Sequence, residues 1–357
     1  MKKLLGIITF SLMLILSLAS CGSNNTKIKD ILNNLDSKSF DKNGFTMTFN
    51  HKYDIESHTN DDYEKIDYTL HYDGAGTIIT SIDGLTEDIN NYSLYDLITT
   101  KVGYIKMIQT EKSNYDYKEE NKIDNKNQQE KYNYEINQEF IIKFDESNVY
   151  VSSTSKYTDL IDNTKNSNDE FNGKISKELF TENVTSDSID QFYNQLIVME
   201  GIQTNVTLQN HTSELFVKSK NLNDNDFNTF VNTNQISLEE KKDTSVITFA
   251  YPCDQFISAT FNIKKDSNAK VKGTLIIDNS KKNLIHFDYD LKDFMFNALD
   301  GIDSDNQVTT NINEYKLTGD SFTTSISDIK IEKELNEYTD SEEFLEGLYS
   351  TLPSYFD

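Results

Sequence analysis

Tryptophan is absent from this chain of 357 residues, and proline and cysteine occur only twice each. With Cys21 and Cys253 alone, no disulfide framework can staple the fold, so stability must come from a hydrophobic core. With so few prolines, the turns have to rely on Asn, Asp, Ser and Gly. Positive charge is scarce as well: 34 Lys and Arg stand against 59 Asp and Glu, a net charge of −25. Such a chain repels nucleic-acid phosphates and anionic lipid head groups alike, which argues against binding either through charge. Long apolar runs are missing except for one at the N-terminus.

That run, Leu4 to Leu18, follows Lys2 and Lys3 and is broken only by Thr9, Ser11 and Ser17. It is long for a signal-peptide core but short for a membrane-spanning helix, which needs about 20 apolar residues, and with Lys2 and Lys3 before it reads as a targeting segment. It closes on Leu18-Ala19-Ser20-Cys21, followed by Gly22. This resembles the lipobox of bacterial lipoproteins, in which an aliphatic residue and two small ones precede a cysteine that takes a diacylglycerol. The resemblance implies that Leu18, Ala19 and Ser20 are read by the signal peptidase and that Cys21 becomes the lipidated mature N-terminus. It further implies a protein held on the extracytoplasmic face of a cell membrane. Two acyl chains suffice for stable anchoring, where one is marginal. Lipidation would use up Cys21. Cys253, in "FAYPCDQF", has no cationic neighbour to stabilise a thiolate and reads as a structural thiol.

Behind the leader (1–20), residues 21–27 read as a polar tether. Ile28, Ile31, Leu32 and Leu35 then have the spacing of a short amphipathic helix. Next the apolar period becomes two. Phe45, Met47, Phe49, Tyr53 and Ile55 alternate with polar residues, as do Ile66, Tyr68, Leu70 and Tyr72, and later Tyr132 to Phe144. This is the pattern of antiparallel strands with one dry face. Residues 111–131 read as the polar tip of a long hairpin, and 161–174 as a linker or large loop. A helix capped at Ser186 or Asp187 carries Ile189, Phe192, Tyr193, Leu196 and Met199. Strands are expected over 202–208 and 245–251, and a meander follows over 257–294. "NDNDFNTFV" reads as a short helix, and a last one starts at a cap formed by 339–341. The fold class expected is α+β, dominated by antiparallel curved sheet or half-barrel, with two β-rich domains or halves at 28–180 and 186–357. A doubly wound fold would need helices alternating regularly with strands, and they do not.

Chemical motifs are sparse. The five histidines, His51, His58, His71, His211 and His286, form no metal-binding spacing. Strand parity puts His51 on the apolar side as a satisfied core residue, and a hairpin could bring His58 near His71. "NDEFNGKI" (168–175) and "DGIDSDN" (300–306) suggest calcium loops, but the first has Leu179 where the bidentate glutamate belongs and the second lacks the glycine pattern. No nucleophile elbow, P-loop or dinucleotide fingerprint is present. The sequence therefore nominates no catalytic residue, no cofactor and no metal site.

The order of elements, from lipobox and short helix through long antiparallel strands to a mid-chain helix and a meander, resembles the curved-sheet lipoproteins related to LolA and LppX. That resemblance implies an open half-barrel, plugged by helices, that receives a lipid or another apolar ligand. Three readings stay open. One is a non-enzymatic binding protein with an aromatic-lined sheet face. Another is a surface interaction lipoprotein with a filled core, and the third an extracytoplasmic enzyme without a recognisable motif.

Overall fold

The computed structural model describes residues 25–33, 45–60, 62–83, 93–189, 219–252, 269–280, 283–300, 308–323, 331 and 333–350. It is an α+β fold dominated by a single 12-stranded sheet. The strands are β1 (Phe45–Asn60), β2 (Glu64–Ile82), β3 (Gly103–Asn121), β4 (Lys126–Phe144), β5 (Asn148–Asp159) and β6 (Ser167–Ser176), then β7 (Ser237–Glu240), β8 (Thr244–Pro252), β9 (Lys270–Asp278), β10 (Asn283–Asp290), β11 (Val308–Thr323) and β12 (Asn336–Tyr338). Their order across the sheet is β12-β6-β5-β4-β3-β2-β1-β11-β10-β9-β8-β7. Every pairing is antiparallel except that of β12 with β6, and the sheet stays open. The central pair β1–β11 joins the early strands to the late ones, so one ladder runs through both.

Period-two patterning explains the two faces. Met47, Phe49, His51, Tyr53 and Ile55 of β1 are buried, while Asn50 and Lys52 between them are exposed. The inner face continues without a register break through β2, β3, β4 and β5 to Phe140, Ile142, Phe144, Val149 and Val151. Long strands need firm turns. At the β3–β4 tip, Asn121 Oδ1 accepts the amides of Ile123 and Asp124 at 3.0 Å, and Asn125 takes φ 51°. Asparagine tolerates that left-handed conformation better than most residues. The ladder runs to Asn121↔Lys126, so the polar stretch 111–131 is mostly strand rather than loop.

Among the described residues, helices on the inner face include α1 (25–33), α2 (Leu94–Thr100), α3 (Lys177–Asn183), α4 (Asp224–Thr233), α5 (Lys292–Asp300) and α6 (Ser341–Tyr349). Each sends apolar side chains into the core, among them Ile28, Leu32, Ile98, Phe180, Phe227, Phe294 and Phe344. Four of them start at side-chain caps: Ser93, Ser176, Asn223 and Asp340 each accept an N-terminal amide. α1 already includes residues 25–27, which the sequence pattern placed in the tether. It docks on α4 and β7 through Lys27 to Glu240 and Lys29 to Asp224, with Lys29 Nζ 5.5 Å from the Phe227 ring centre.

Two local expectations need correcting. Residues 167–174, read as loop, are strand β6, because Phe171, Gly173 and Ile175 have the parity to continue the inner face. That also rules out the calcium loop at 168–175, since neighbouring side chains of a strand point to opposite faces and cannot wrap one ion. His58 does not meet His71. It lies opposite Asp67, with Nδ1 2.8 Å from Oδ1, while His71 faces Asp54. The helix capped at Ser186 or Asp187 is described only as far as Ile189, which is buried. The expected strand at 202–208, the acidic stretch at 301–306, His211 and Cys253 lie outside the described residues.

Candidate functional site

The inner face is not uniformly apolar. At its centre a row of paired residues reads Ser155, Gln138, Gln109, Gly76, Phe49, and the next row reads Tyr157, Ile136, Glu111, Gly74, His51. The polar members belong to one band, buried among the hydrophobic side chains. Gln109, Glu111, Gln138, Ser153 and Ser155 are each at most 5% exposed, and His51 is fully buried.

Burial of polar groups normally demands partners, because an unpaired one costs about 1–3 kcal/mol. Here the pairing is incomplete. Gln109 Nε2 donates to Gln138 Oε1 at 2.6 Å, which leaves Gln109 Oε1 and Gln138 Nε2 without partners. Ser153 Oγ and both ring nitrogens of His51 also lack one. The sequence reading expected a satisfied histidine, and the structure corrects it. His51 is surrounded by Tyr53, Tyr72 and Tyr315 at centroid distances of 5.3, 5.4 and 5.3 Å, but none of these contacts is a hydrogen bond to the ring. Burial lowers its pKa to about 4, so the imidazole is neutral at physiological pH. The band thus offers a neutral donor, neutral acceptors and a hydroxyl, with the Glu111 carboxylate beside them. Glu111 accepts the Tyr134 hydroxyl at 3.1 Å, and burial together with that negative charge pushes the tyrosine pKa well up.

Glycines on β2 shape this centre. Gly74 and Gly76 put no side chain between His51 and Glu111 or between Phe49 and Gln109, and the Phe49 ring lies over Gly76. Beyond the band, on the same face, the strands carry Tyr68, Tyr115, Tyr117, Tyr132, Tyr134 and Tyr157. Neighbouring rings are 5.6–6.3 Å apart, as in Tyr115–Tyr132 and Tyr115–Tyr117. The sequence pattern pointed to this aromatic stripe. It could not reveal the band, because Gln and Ser at inward positions look like interruptions of a strand until the register lines them up.

The opposite face carries the lysines and most of the acids, and among the described residues it has open hollows of about 470 and 260 Å³. Lys272, Asp288, Asp290 and Lys316 line the larger hollow, and Thr48, Asn50, Thr77 and Thr110 the smaller. Among the described residues, no three His, Cys, Asp or Glu side chains converge where a metal ion could sit. His286 instead pairs with Asp320 at 2.8 Å. Leu18, Ala19, Ser20 and Cys21 lie outside the described residues.

No protein-family model matches the chain, and no curated protein matches it significantly. Among solved structures it aligns with a β-barrel-like protein of a domain of unknown function from Brucella abortus. The identity is 6%, the TM-score 0.14, and the alignment covers 79% of this chain and 98% of the other. A superposition that loose carries no argument about fold or function.

Proposed function

We propose that this protein is an extracytoplasmic lipoprotein, anchored through Cys21, that binds rather than transforms an apolar ligand on the inner face of its sheet. The observation that carries the reading is the set of partnerless polar atoms on Gln109, Gln138, Ser153 and His51, all on one buried face. An apolar molecule with a polar head would satisfy them while its body meets the surrounding Phe, Ile and Met side chains. A core that only had to be filled would be more stable with hydrocarbon at these positions. A neutral His51 with no activating partner, and a Glu111 already engaged by Tyr134, favour binding over catalysis.

The anchor fits this geometry. Cys21 precedes α1 by only four residues, and α1 packs against α4 and β7, so an anchor there would tether the chain beside that end of the sheet. Cys21→Ser is expected to move the protein from the membrane fraction to the soluble one. If the variant stays membrane-bound after a high-salt wash, the anchor reading is wrong.

Native mass spectrometry of that soluble Cys21→Ser protein, purified from its host, tests the binding reading. A bound species of constant mass is expected, and Gln109→Leu/Gln138→Leu should lose it while keeping the fold. Recovery of the parent protein free of any ligand would count against the proposal, as would full retention by the double variant.

A further inference from the structure

The tyrosine end of the inner face has a charge pattern of its own, independent of the buried band. Tyr68, Tyr115, Tyr117 and Tyr132 lie together on β2–β4, and Tyr132 is 49% exposed. Glu119 and Glu130 share their face. Tyr117 donates its hydroxyl to Glu119 at 2.8 Å and Tyr132 donates to Glu130 at 3.4 Å. Neither carboxylate meets a cation among the described residues.

The lysines lie elsewhere. On β1–β5 every lysine except Lys126, at the hairpin tip, falls on the opposite face. There they pair with their own acids, as in Lys131–Asp116 at 2.8 Å, Lys65–Asp67 at 3.0 Å and Lys112–Glu135 at 3.3 Å. One side of these strands is therefore internally neutralised. The other presents aromatic rings and the carboxylates of Glu119 and Glu130, which no cation among the described residues neutralises. Tyrosine ring faces attract cations, and arginine stacks on them while its planar fork matches a carboxylate.

We infer that this face docks a basic, arginine-bearing extended segment of a partner protein, its side chains stacked on Tyr115 and Tyr132 and paired with Glu119 and Glu130. The chain itself has no arginine, so a second copy does not supply the guanidinium. The tyrosines of β2–β4 fall in successive rows at the two-residue strand spacing, which matches the alternate side chains of an extended segment better than the face of a helix.

The test uses the full-length soluble Cys21→Ser protein and a fluorescent peptide alternating Arg and Gly, followed by anisotropy. A net charge of −25 attracts any polycation, so the comparison is between faces rather than with a blank. Tyr115→Ser/Tyr132→Ser and the isosteric Glu119→Gln/Glu130→Gln are each expected to weaken binding at least tenfold. The charge-matched Asp116→Asn/Glu135→Gln on the other face should change it less than twofold. Circular dichroism confirms that each variant is folded, and the glutamine pair carries the test if the tyrosine pair is not. Equal losses from both faces would overturn the inference, leaving only diffuse attraction. Unchanged binding in Glu119→Gln/Glu130→Gln, or tighter binding of phosphocholine vesicles than of the peptide, would overturn it as well.

Discussion

Acidification from pH 7 to pH 4.5 should destabilise this protein through one residue, His51, and His51→Leu should remove that part of the loss. In the unfolded chain the imidazole takes its proton near its ordinary value of 6.5, but in the folded chain burial delays this to about 4. Between those values the unfolded state binds the extra proton, so stability falls as the pH drops through the window and returns as it rises. At about 1.4 kcal/mol per pH unit the whole window is worth about 3 kcal/mol, a large share of a typical 5–15 kcal/mol. The groups around the ring do nothing to offset this. Tyr53, Tyr72 and Tyr315 are neutral, and Glu111 stands two strands away across Gly74. The surface works in the opposite direction, since protonating some of 59 acidic residues relieves self-repulsion. Urea midpoints of the parent and His51→Leu at several pH values separate the two effects. The variant should match or exceed the parent at pH 7, because hydrocarbon replaces a partnerless buried polar group. It should pull clearly ahead by pH 4.5. Identical acid slopes would mean that His51 is already paired or exposed in solution.

His51 also marks how far the sequence could be read. Period-two alternation was enough to place β1, β2 and β4, the inward parity of His51 and the aromatic stripe, because a strand with one buried face announces itself residue by residue. The caps at Asn223 and Asp340 were legible for the same reason, being local. Register was not local. Only the pairing of β2 with β3 and of β3 with β4 puts Gln109 beside Gln138, or sets Gly74 between His51 and Glu111. The short helices α2, α3 and α5 were missed, since seven to nine residues give barely two turns of periodicity and tertiary burial of Ile98, Phe180 and Phe294 decides them. Strand β6 was missed because its first residues are all polar and only its second half shows the inward Phe171 and Ile175.

Register also decides the second large effect, the contrast between Gly76→Ala and Gly319→Ala. Both glycines lie opposite Phe49, on either side of β1. A Cβ at Gly76 would come 2.2 Å from Phe49 Cζ, with the next contacts on the same ring. A Cβ at Gly319 would come 2.2 Å from the Thr48 carbonyl oxygen and 2.3 Å from Phe287 Cζ. The first clash is with the far end of a side chain, the second with backbone that the ladder holds in place. Each single substitution is expected to cost about 2–3 kcal/mol by overpacking, with Gly319→Ala the worse. Trimming the ring distinguishes them. Phe49→Leu should recover most of the loss in Gly76→Ala, so that the double variant is more stable than the sum of the single effects predicts. Phe287→Leu should leave Gly319→Ala nearly as unstable as before, because the Thr48 carbonyl remains, and the two losses should add. Denaturant melts of the two double-mutant cycles measure this directly. Rescue in both would mean that β1 and β11 can spread apart under the Thr48 contact. A sheet able to spread there would not hold the His51 and Gln109–Gln138 band in fixed register, and a binding face built on that register depends on its rigidity.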